Sequence, residues 1–287
     1  KRELSEKVGN NELMKSFTLV GLAGIEDPPR KEVSDSIKSC QTAGVRVVMI
    51  TGDHLATAKS IADQTGIITG DEENVITGAK LKELSGEDKD HSIHKTKVFA
   101  RVEPAQKLEI VESLQKSGEV VAMTGDGVND APALNRADIG IAMGKCGTEV
   151  ARESADMVLT DDNFSSIAAA VREGRGVFDN LVKFIIWTLP TNLAEGLVIM
   201  SAVVAGGALP ILPVQVLWIN MSTAVLLGMM LAFEPKEQGI MERPPRPPSE
   251  PILTSMMIRR ILLVGVMLLI SVKAVYHIEI SNGSCFP

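Results

Sequence analysis

Met123-Thr124-Gly125-Asp126-Gly127-Val128-Asn129-Asp130-Ala131-Pro132-Ala133-Leu134 decides how the rest of this 287-residue chain is read. It follows Glu119-Val120-Val121-Ala122, a short apolar run with the β-branched character expected of a buried parallel strand. Gly125 and Gly127 let the backbone turn sharply and approach a ligand closely. Asp126, Asn129 and Asp130 put two carboxylates and an amide into one strand-to-loop corner. Clustered carboxylates repel and are costly to bury unless a cation or a proton neutralises them. Hard oxygen donors of this kind suit Mg2+, above all beside a phosphate. Gly-Asp-Gly by itself also reads as a capped turn.

The flanking sequence alternates strand and helix. Ser16 to Ile25 reads as a strand ending in the turn Glu26-Asp27-Pro28-Pro29-Arg30, and Lys31 to Thr42 as a helix with Val33, Ile37 and Cys40 on one face. Val45 to Ile50 is the next expected strand, with Thr51-Gly52-Asp53 at its carboxyl end, and a helix from Leu55 to Gln64 follows, capped by Gly66. This order predicts an α/β fold with a Rossmann-like parallel sheet, in which ligands bind beyond the carboxyl ends of the strands. Thr51 and Asp53 then stand either where a hydroxyl and backbone amides hold a phosphate or as plain helix caps. Residues 69–97 are polar and read as an excursion with one helix near Lys80 to Leu84, with His91 and His94 on solvated surface. Val98-Phe99-Ala100-Arg101 reads as a strand, and Glu103-Pro104 turns the chain into a helix from Ala105 to Lys116. Lys107, in the first turn of that helix, opposes the helix dipole. A nearby anion such as a transferred phosphoryl group would offset this, and a solvated lysine is the alternative.

A net charge of −7 and 3% aromatic residues leave neither a basic surface nor a stacking platform for nucleic acid. Cys40, Cys146 and Cys285 form no CxxC pair, so neither a zinc site nor a disulfide framework is indicated; Cys40 and Cys146 are expected as free, mostly buried thiols. Ala151 to Ala155 and Ser165 to Val182 read as helices separated by Asp161-Asp162-Asn163. Beyond Lys183 the chain turns apolar, with candidate membrane spans at about 184–206, 214–233 and 258–275. The loop between the first two spans has no Lys or Arg, whereas Lys236, Arg243, Arg246, Arg259 and Arg260 follow the second, which places the 234–257 loop and residues 1–182 in the cytoplasm. Glu195 is a carboxylate inside a span, a costly placement that marks a functional site. Pro190 is expected to interrupt the helix and free backbone carbonyls. Unwound carbonyls beside a carboxylate make a cation site, to which Asn220, Ser222 and Thr223 add neutral oxygens. Helix–helix hydrogen bonding competes with that reading and is preferred for Ser222.

The twelve-residue string resembles the hinge motif of P-type cation-transporting ATPases, members of the haloacid-dehalogenase-like superfamily. Asp27-Pro28-Pro29-Arg30, Phe99-Ala100-Arg101-Val102-Glu103-Pro104 and Ala137-Asp138-Ile139-Gly140-Ile141-Ala142-Met143-Gly144 are similar to further signatures of that family, and the likeness covers nearly all of residues 16–260. The resemblance implies that Thr51, Gly52, Asp53 and Arg101 form a phosphate and nucleotide region, and that Lys107 stabilises a phosphorylated aspartate. It implies that Asp126 holds Mg2+, that Asn129 and Asp130 orient the phosphoryl group, and that ATP is the phosphoryl source in the intact pump. Pro190 to Glu195 and Leu217 to Thr223 are similar to the ion-binding helices of the type II branch, which includes calcium pumps. Asn192, Glu195, Asn220 and Thr223 are thereby implied as ligands of a transported cation.

There are two departures. The family's phosphorylated Asp-Lys-Thr-Gly-Thr motif is absent. Ala224 stands where calcium pumps have an aspartate, which puts a two-site calcium mechanism in doubt. The expectation is the C-terminal part of a pump. Residues 1–15 would be the end of a nucleotide domain or a linker, 16–165 the rest of the phosphorylation domain, 166–182 a helical stalk and 183–287 a membrane domain. Such a chain is inactive alone; its partners are the lipid bilayer of a plasma membrane, the cation and the missing N-terminal parts of the pump. The alternative is a short non-catalytic membrane protein that regulates or assembles with a full-length pump. A free soluble phosphatase fits less well, lacking a nucleophile and carrying spans.

Overall fold

The computed structural model describes residues 28–69 and 74–283. The segment 1–15, the strand expected at Ser16 to Ile25 and Asp27 lie outside these residues.

After Arg30, helix α1 (Lys31–Thr42) buries Ile37 and Cys40. Strand β1 is shorter than expected, Met49–Ile50, because the ladder starts only where Met49 N–H reaches Lys97 O at 2.8 Å. Helix α2 (Leu55–Thr65) ends at Gly66, whose φ of +77° is a left-handed cap that suits glycine. The polar stretch expected to hold one helix contains β2 (Val75–Thr77), α3 (Gly78–Glu83) and α4 (Gly86–Lys95). Its apolar residues are too sparse to show a period, yet Ile76, Leu81 and Ile93 are all buried and suffice to anchor it. His91 is exposed as expected, and His94 is partly exposed with its ring hydrogen-bonded to Ser117 Oγ. Strand β3 (Val98–Ala100) is fully buried and lies between the other two in a parallel sheet of order β1-β3-β2.

Helix α5 (Pro104–Lys116) opens on proline, and Gln106 returns its Oε1 to the Glu103 N–H at 3.0 Å. Beyond it a second parallel sheet has the order β4 (Ala122–Gly125), β5 (Ile139–Met143), β6 (Met157–Leu159). Strand β4 starts later than the expected Glu119, because Asp138 Oδ2 accepts the Val121 N–H at 2.8 Å and Val120 is left 63% exposed. The strand therefore runs into the Gly125 of the twelve-residue string. Helix α5 serves both sheets. Ile110 and Leu114 pack with Ile76 and Phe99, while Val111 packs with Met123 and Leu134. Each such side chain contributes about 1.5–3 kcal/mol by leaving water. Ile50 touches both clusters, so the two sheets lie side by side. Helices α6 (Ala131–Arg136) and α7 (Glu149–Glu153) complete this part.

Helix α8 (Phe164–Ala205) is a single element of 42 residues, about 63 Å at 1.5 Å per residue, so the expected stalk and first span are one rod. It runs unbroken through Pro190, contrary to the expected interruption. The proline removes the N–H that would bond the Ile186 carbonyl, but flanking packing keeps the helix. The irregular backbone lies instead in the second span, where α9 (Pro213–Asn220) passes into a π-helical stretch, Met221–Leu227, and then α10 (Gly228–Ala232). Helix α11 (Ser255–Ser281) packs on α8, and Gly265 admits Leu193 so closely that a Cβ there would lie 2.9 Å from its Cδ2. Among the described residues three helices, Phe164–Val204, Pro213–Leu231 and Ser255–Ser281, are long and apolar enough to cross a membrane. Val204, Val214 and Met230 are each more than 70% exposed (83%, 76% and 74%), a surface suited to lipid or further helices rather than water.

The loop between α10 and α11 folds back on the polar end of α8. Asn180 Nδ2 donates to Glu234 O, Arg243 pairs with Asp179 at 2.5 Å and the Arg246 guanidinium lies 4.9 Å from the centre of the Phe178 ring. Arg175 donates to Ile240 O (2.9 Å), Arg243 O (2.7 Å) and Ala43 O (2.6 Å), joining the loop to α8 and to the end of α1.

Candidate functional site

Thr51 follows β1, Arg101 follows β3 and Asp126 follows β4, so parallel topology puts all three at carboxyl ends of strands. Thr51 does not cap α2; His54 does, with Nδ1 accepting the Ala56 N–H. The Thr51 hydroxyl instead accepts the Asp53 N–H at 3.1 Å and donates to Asp53 Oδ2 at 2.9 Å, a self-contained turn with Gly52 exposed. Backbone bonds tie this turn to the end of β3: Arg101 N–H to Asp53 O at 3.1 Å and Val102 N–H to Thr51 O at 3.2 Å. Arg101 is exposed and has a φ of +54°, a left-handed conformation uncommon outside glycine.

Helix α5 then carries Lys107 to the other sheet. Its Nζ lies 2.5 Å from Asp130 Oδ1, with the lysine side chain 18% and the aspartate side chain 7% exposed. The anion that offsets the helix dipole is thus the chain's own aspartate. Asp130 ends a 3-10 turn (Val128–Asp130), and its Oδ2 accepts the Gly127 N–H at 3.2 Å. Gly125 is required here: a Cβ on it would lie 2.5 Å from Asp130 Cβ. Asp126 and Asn129 are exposed beside this pair. The Thr51 turn is linked to them through β3 and α5, with no direct hydrogen bond among the described residues.

Asp126 suits part of a Mg2+ shell. Mg2+ retains several waters and is bound by one or two carboxylates together with phosphate oxygens. Asp126 offers one exposed carboxylate, while Asp130 is committed to Lys107 and Gly127. Among the described residues no three His, Cys, Asp or Glu side chains gather as a larger metal cage.

In the membrane part, Asn220 Nδ2 donates to Glu195 Oε2 at 3.0 Å, so α8 and the end of α9 meet at the carboxylate. Thr223 bonds its own helix, Oγ1 to Ile219 O at 2.8 Å, and Asn192 is exposed. Ser222 makes no hydrogen bond between helices among the described residues, contrary to the preferred reading. The π-helical stretch begins directly after Asn220, and Ser222, Thr223 and Ala224 all lie within it.

Cys40 is buried as expected, and burial pushes its thiol pKa up; Cys146 is exposed, a correction, because it sits in the loop after β5. Two tethers went unseen in the sequence. Arg175 has no motif around it, and the loop after β5, which gives the Thr148 N–H to Asp126 O at 2.8 Å, is 22 residues from Asp126.

The haloacid dehalogenase-like hydrolase family matches residues 2–138, and the C-terminus of cation-transporting ATPases matches residues 208–284. A probable cation-transporting ATPase F of Mycobacterium tuberculosis (strain ATCC 25618 / H37Rv) is 57% identical over 272 residues, 94% of this chain and 30% of that protein. The cation-transporting ATPase pma1 of Synechocystis is 50% identical over 258 residues, 90% of this chain and 28% of that protein. A calcium-transporting ATPase of Bacillus subtilis is 44% identical over 267 residues, 92% of this chain and 30% of that protein. The chain spans about 30% of the length of the curated relatives it matches. A parallel α/β part followed by apolar helices meeting at a carboxylate agrees with both family matches: the chain belongs to the P-type cation-transporting ATPases.

Proposed function

We propose that this chain is the C-terminal portion of an ATP-driven pump that couples Mg2+-dependent aspartyl-phosphate chemistry in the cytoplasm to cation movement past Glu195. One observation carries the coupling: α8 is continuous from the phosphoryl-site domain to Glu195, so a displacement at one end is transmitted rigidly to the other. In this reading residues 16–165 are the C-terminal part of the phosphorylation domain, residues 1–15 the end of a nucleotide domain or a linker, 166–182 a stalk and 183–287 the membrane domain. Lys107 and Asp130 set the charge around the transferred phosphoryl group, Asn129 orients it, and Thr51, Gly52, Asp53 and Arg101 receive phosphate and nucleotide. Bound Mg2+, held by Asp126, neutralises charge on the phosphoryl oxygens.

Glu195 with Asn192, Asn220 and Thr223 forms the oxygen-rich cation site. With Ala224 in the second span, Glu195 supplies the one carboxylate of this cluster, which favours a single calcium ion per cycle. The calcium-transporting name of the Bacillus subtilis relative supports that choice. The basic loop tied by Arg175 to α1 supports a cytoplasmic side shared with the soluble part; the membrane proposed is a plasma membrane, although an organelle membrane would give the same charge pattern.

Acid-stable 32P incorporation from labelled ATP, measured on the 287-residue chain and on a chain extended upstream, tests the proposal. Label in the extended chain alone, stimulated by calcium, is the expected result. Label in the 287-residue chain itself would overturn the account of a missing phosphate acceptor.

A further inference from the structure

Among the described residues two that are not glycine have a left-handed backbone: Arg101, already in the site, and Asp162, with φ +53°, in the turn before α8. The Asp162 carboxylate accepts three successive backbone N–H groups. Oδ1 takes those of Gly144 (2.7 Å) and Lys145 (3.0 Å), and Oδ2 takes that of Cys146 (2.8 Å). Consecutive N–H groups aimed at one point form an anion-binding nest, and here the anion is the chain's own. The nest is held from outside as well. Arg152 Nη1 donates to Gly144 O at 2.8 Å, and Arg30 Nη1 donates to Asp162 O at 2.7 Å. The loop tolerates no bulk, since a Cβ on Gly144 would lie 2.7 Å from Leu159 O and one on Gly147 would lie 1.9 Å from Met143 O. At its far end the loop gives the Thr148 N–H to Asp126 O at 2.8 Å.

We propose that Asp162 is a positioning residue for Asp126, acting through the 144–148 loop that its carboxylate folds. The proposal rests on the function given above, in which Asp126 holds Mg2+. Asp126 lies between Gly125 and Gly127, and glycine is the least restrained of residues. Gly125 is paired with Ala142 in the β4–β5 ladder and the Gly127 N–H is held by Asp130 Oδ2, so the placement of Asp126 between them depends on bonds from other segments. The bond to the Asp126 backbone carbonyl itself comes from the Thr148 N–H, and Thr148 is placed by the loop that Asp162 fills. Removing the Asp162 carboxylate leaves three N–H groups without their acceptor and releases the loop.

The test is the Mg2+ concentration giving half-maximal 32P incorporation in the upstream-extended protein. Asp162→Asn and Asp162→Gly both accept a left-handed backbone, so they remove the carboxylate without adding strain. Each should raise the Mg2+ requirement about tenfold, with label returning at saturating Mg2+, a change of about 1.4 kcal/mol in Mg2+ binding. Thr148→Pro, allowed by a φ of −70° at that position, deletes the N–H to Asp126 and should shift the requirement in the same way. Combining Asp162→Asn with Thr148→Pro should add little to either alone, because both act on one path. A merely structural role would lower the melting temperature and leave the Mg2+ requirement unmoved. An unchanged requirement in both Asp162 variants, additive shifts in the combination, or failure of both Asp162 variants to fold overturns the proposal. Absence of label in the unsubstituted extended protein would overturn the functional reading and this inference with it.

Discussion

Lys107 Nζ and Asp130 Oδ1 stand 2.5 Å apart, joining the first turn of α5 to the turn after β4 and so one sheet to the other. The lysine takes an unfavourable place at a helix N-terminus because a nearly buried aspartate waits there. Removing one partner leaves the other charge buried without compensation. Lys107→Met should therefore destabilise the soluble part by about 3 kcal/mol, the lower end of the range for a buried pair. Lys107→Met with Asp130→Leu should recover most of the loss, both read as denaturant midpoints.

Asp126 differs from Asp130 in being exposed. Asp126→Asn should leave the melting temperature within about 1 °C, because exposed substitutions away from caps and cores change stability little. The same variant should abolish Mg2+-dependent phosphorylation in the extended protein. Phosphorylation at the unsubstituted level would remove Asp126 from the metal site.

Glu195→Gln keeps an oxygen for the Asn220 amide while deleting the charge. The hydrogen bond between α8 and the end of α9 should survive, and cation-dependent ATP hydrolysis in the extended protein should fall to background. Cation-dependent turnover that persists in this variant would count decisively against the assignment.

Three backbone N–H donors hold the Asp162 carboxyl well below the usual carboxylate range. A carboxylate whose folded pKa is depressed contributes stability above its unfolded pKa, about 3.9, and loses it as pH falls toward the folded value. Unsubstituted protein should thus melt above Asp162→Asn by a constant margin at pH 5 to 8, and the margin should shrink below about pH 4. A margin independent of pH down to 2 would show that the bonds do not depend on the charge. The same carboxylate holds the Cys146 thiol pKa above its ordinary value by hydrogen bonding, so Asp162→Asn should speed alkylation of Cys146 at pH 8.

Arg175 makes three bonds to carbonyls of two segments that are far from it in sequence. Lysine lacks the planar fork needed to reach all three. Arg175→Lys should loosen the loop between α10 and α11, seen as severalfold faster tryptic cleavage after Lys236, since Arg243 and Arg246 each precede a proline and resist trypsin. Cleavage at the unsubstituted rate would show that the remaining ion pairs suffice.

The sequence by itself determined the class of the fold, the carboxyl-end location of Thr51, Arg101 and Asp126, and the apolar spans with Glu195 among them. These follow from local pattern: short apolar runs, glycines at turns, and carboxylates at places where burial or membrane makes them costly. It misplaced what depends on contacts between distant segments. The start of β4 was set by Asp138, 16 residues beyond Ala122, and the order hidden in residues 75–95 by three apolar side chains that meet Phe99 and Ile110. Helix α8 stayed whole at Pro190 because local propensity yields to packing along a long helix, and the irregular turn moved to Met221–Leu227. Above all, tertiary structure decided which charges meet. Lys107 with Asp130, Glu195 with Asn220 and Asp162 with the Gly144 loop are pairings across 23, 25 and up to 18 residues. No local periodicity records such pairings, because each exists only once the two backbones have been brought together.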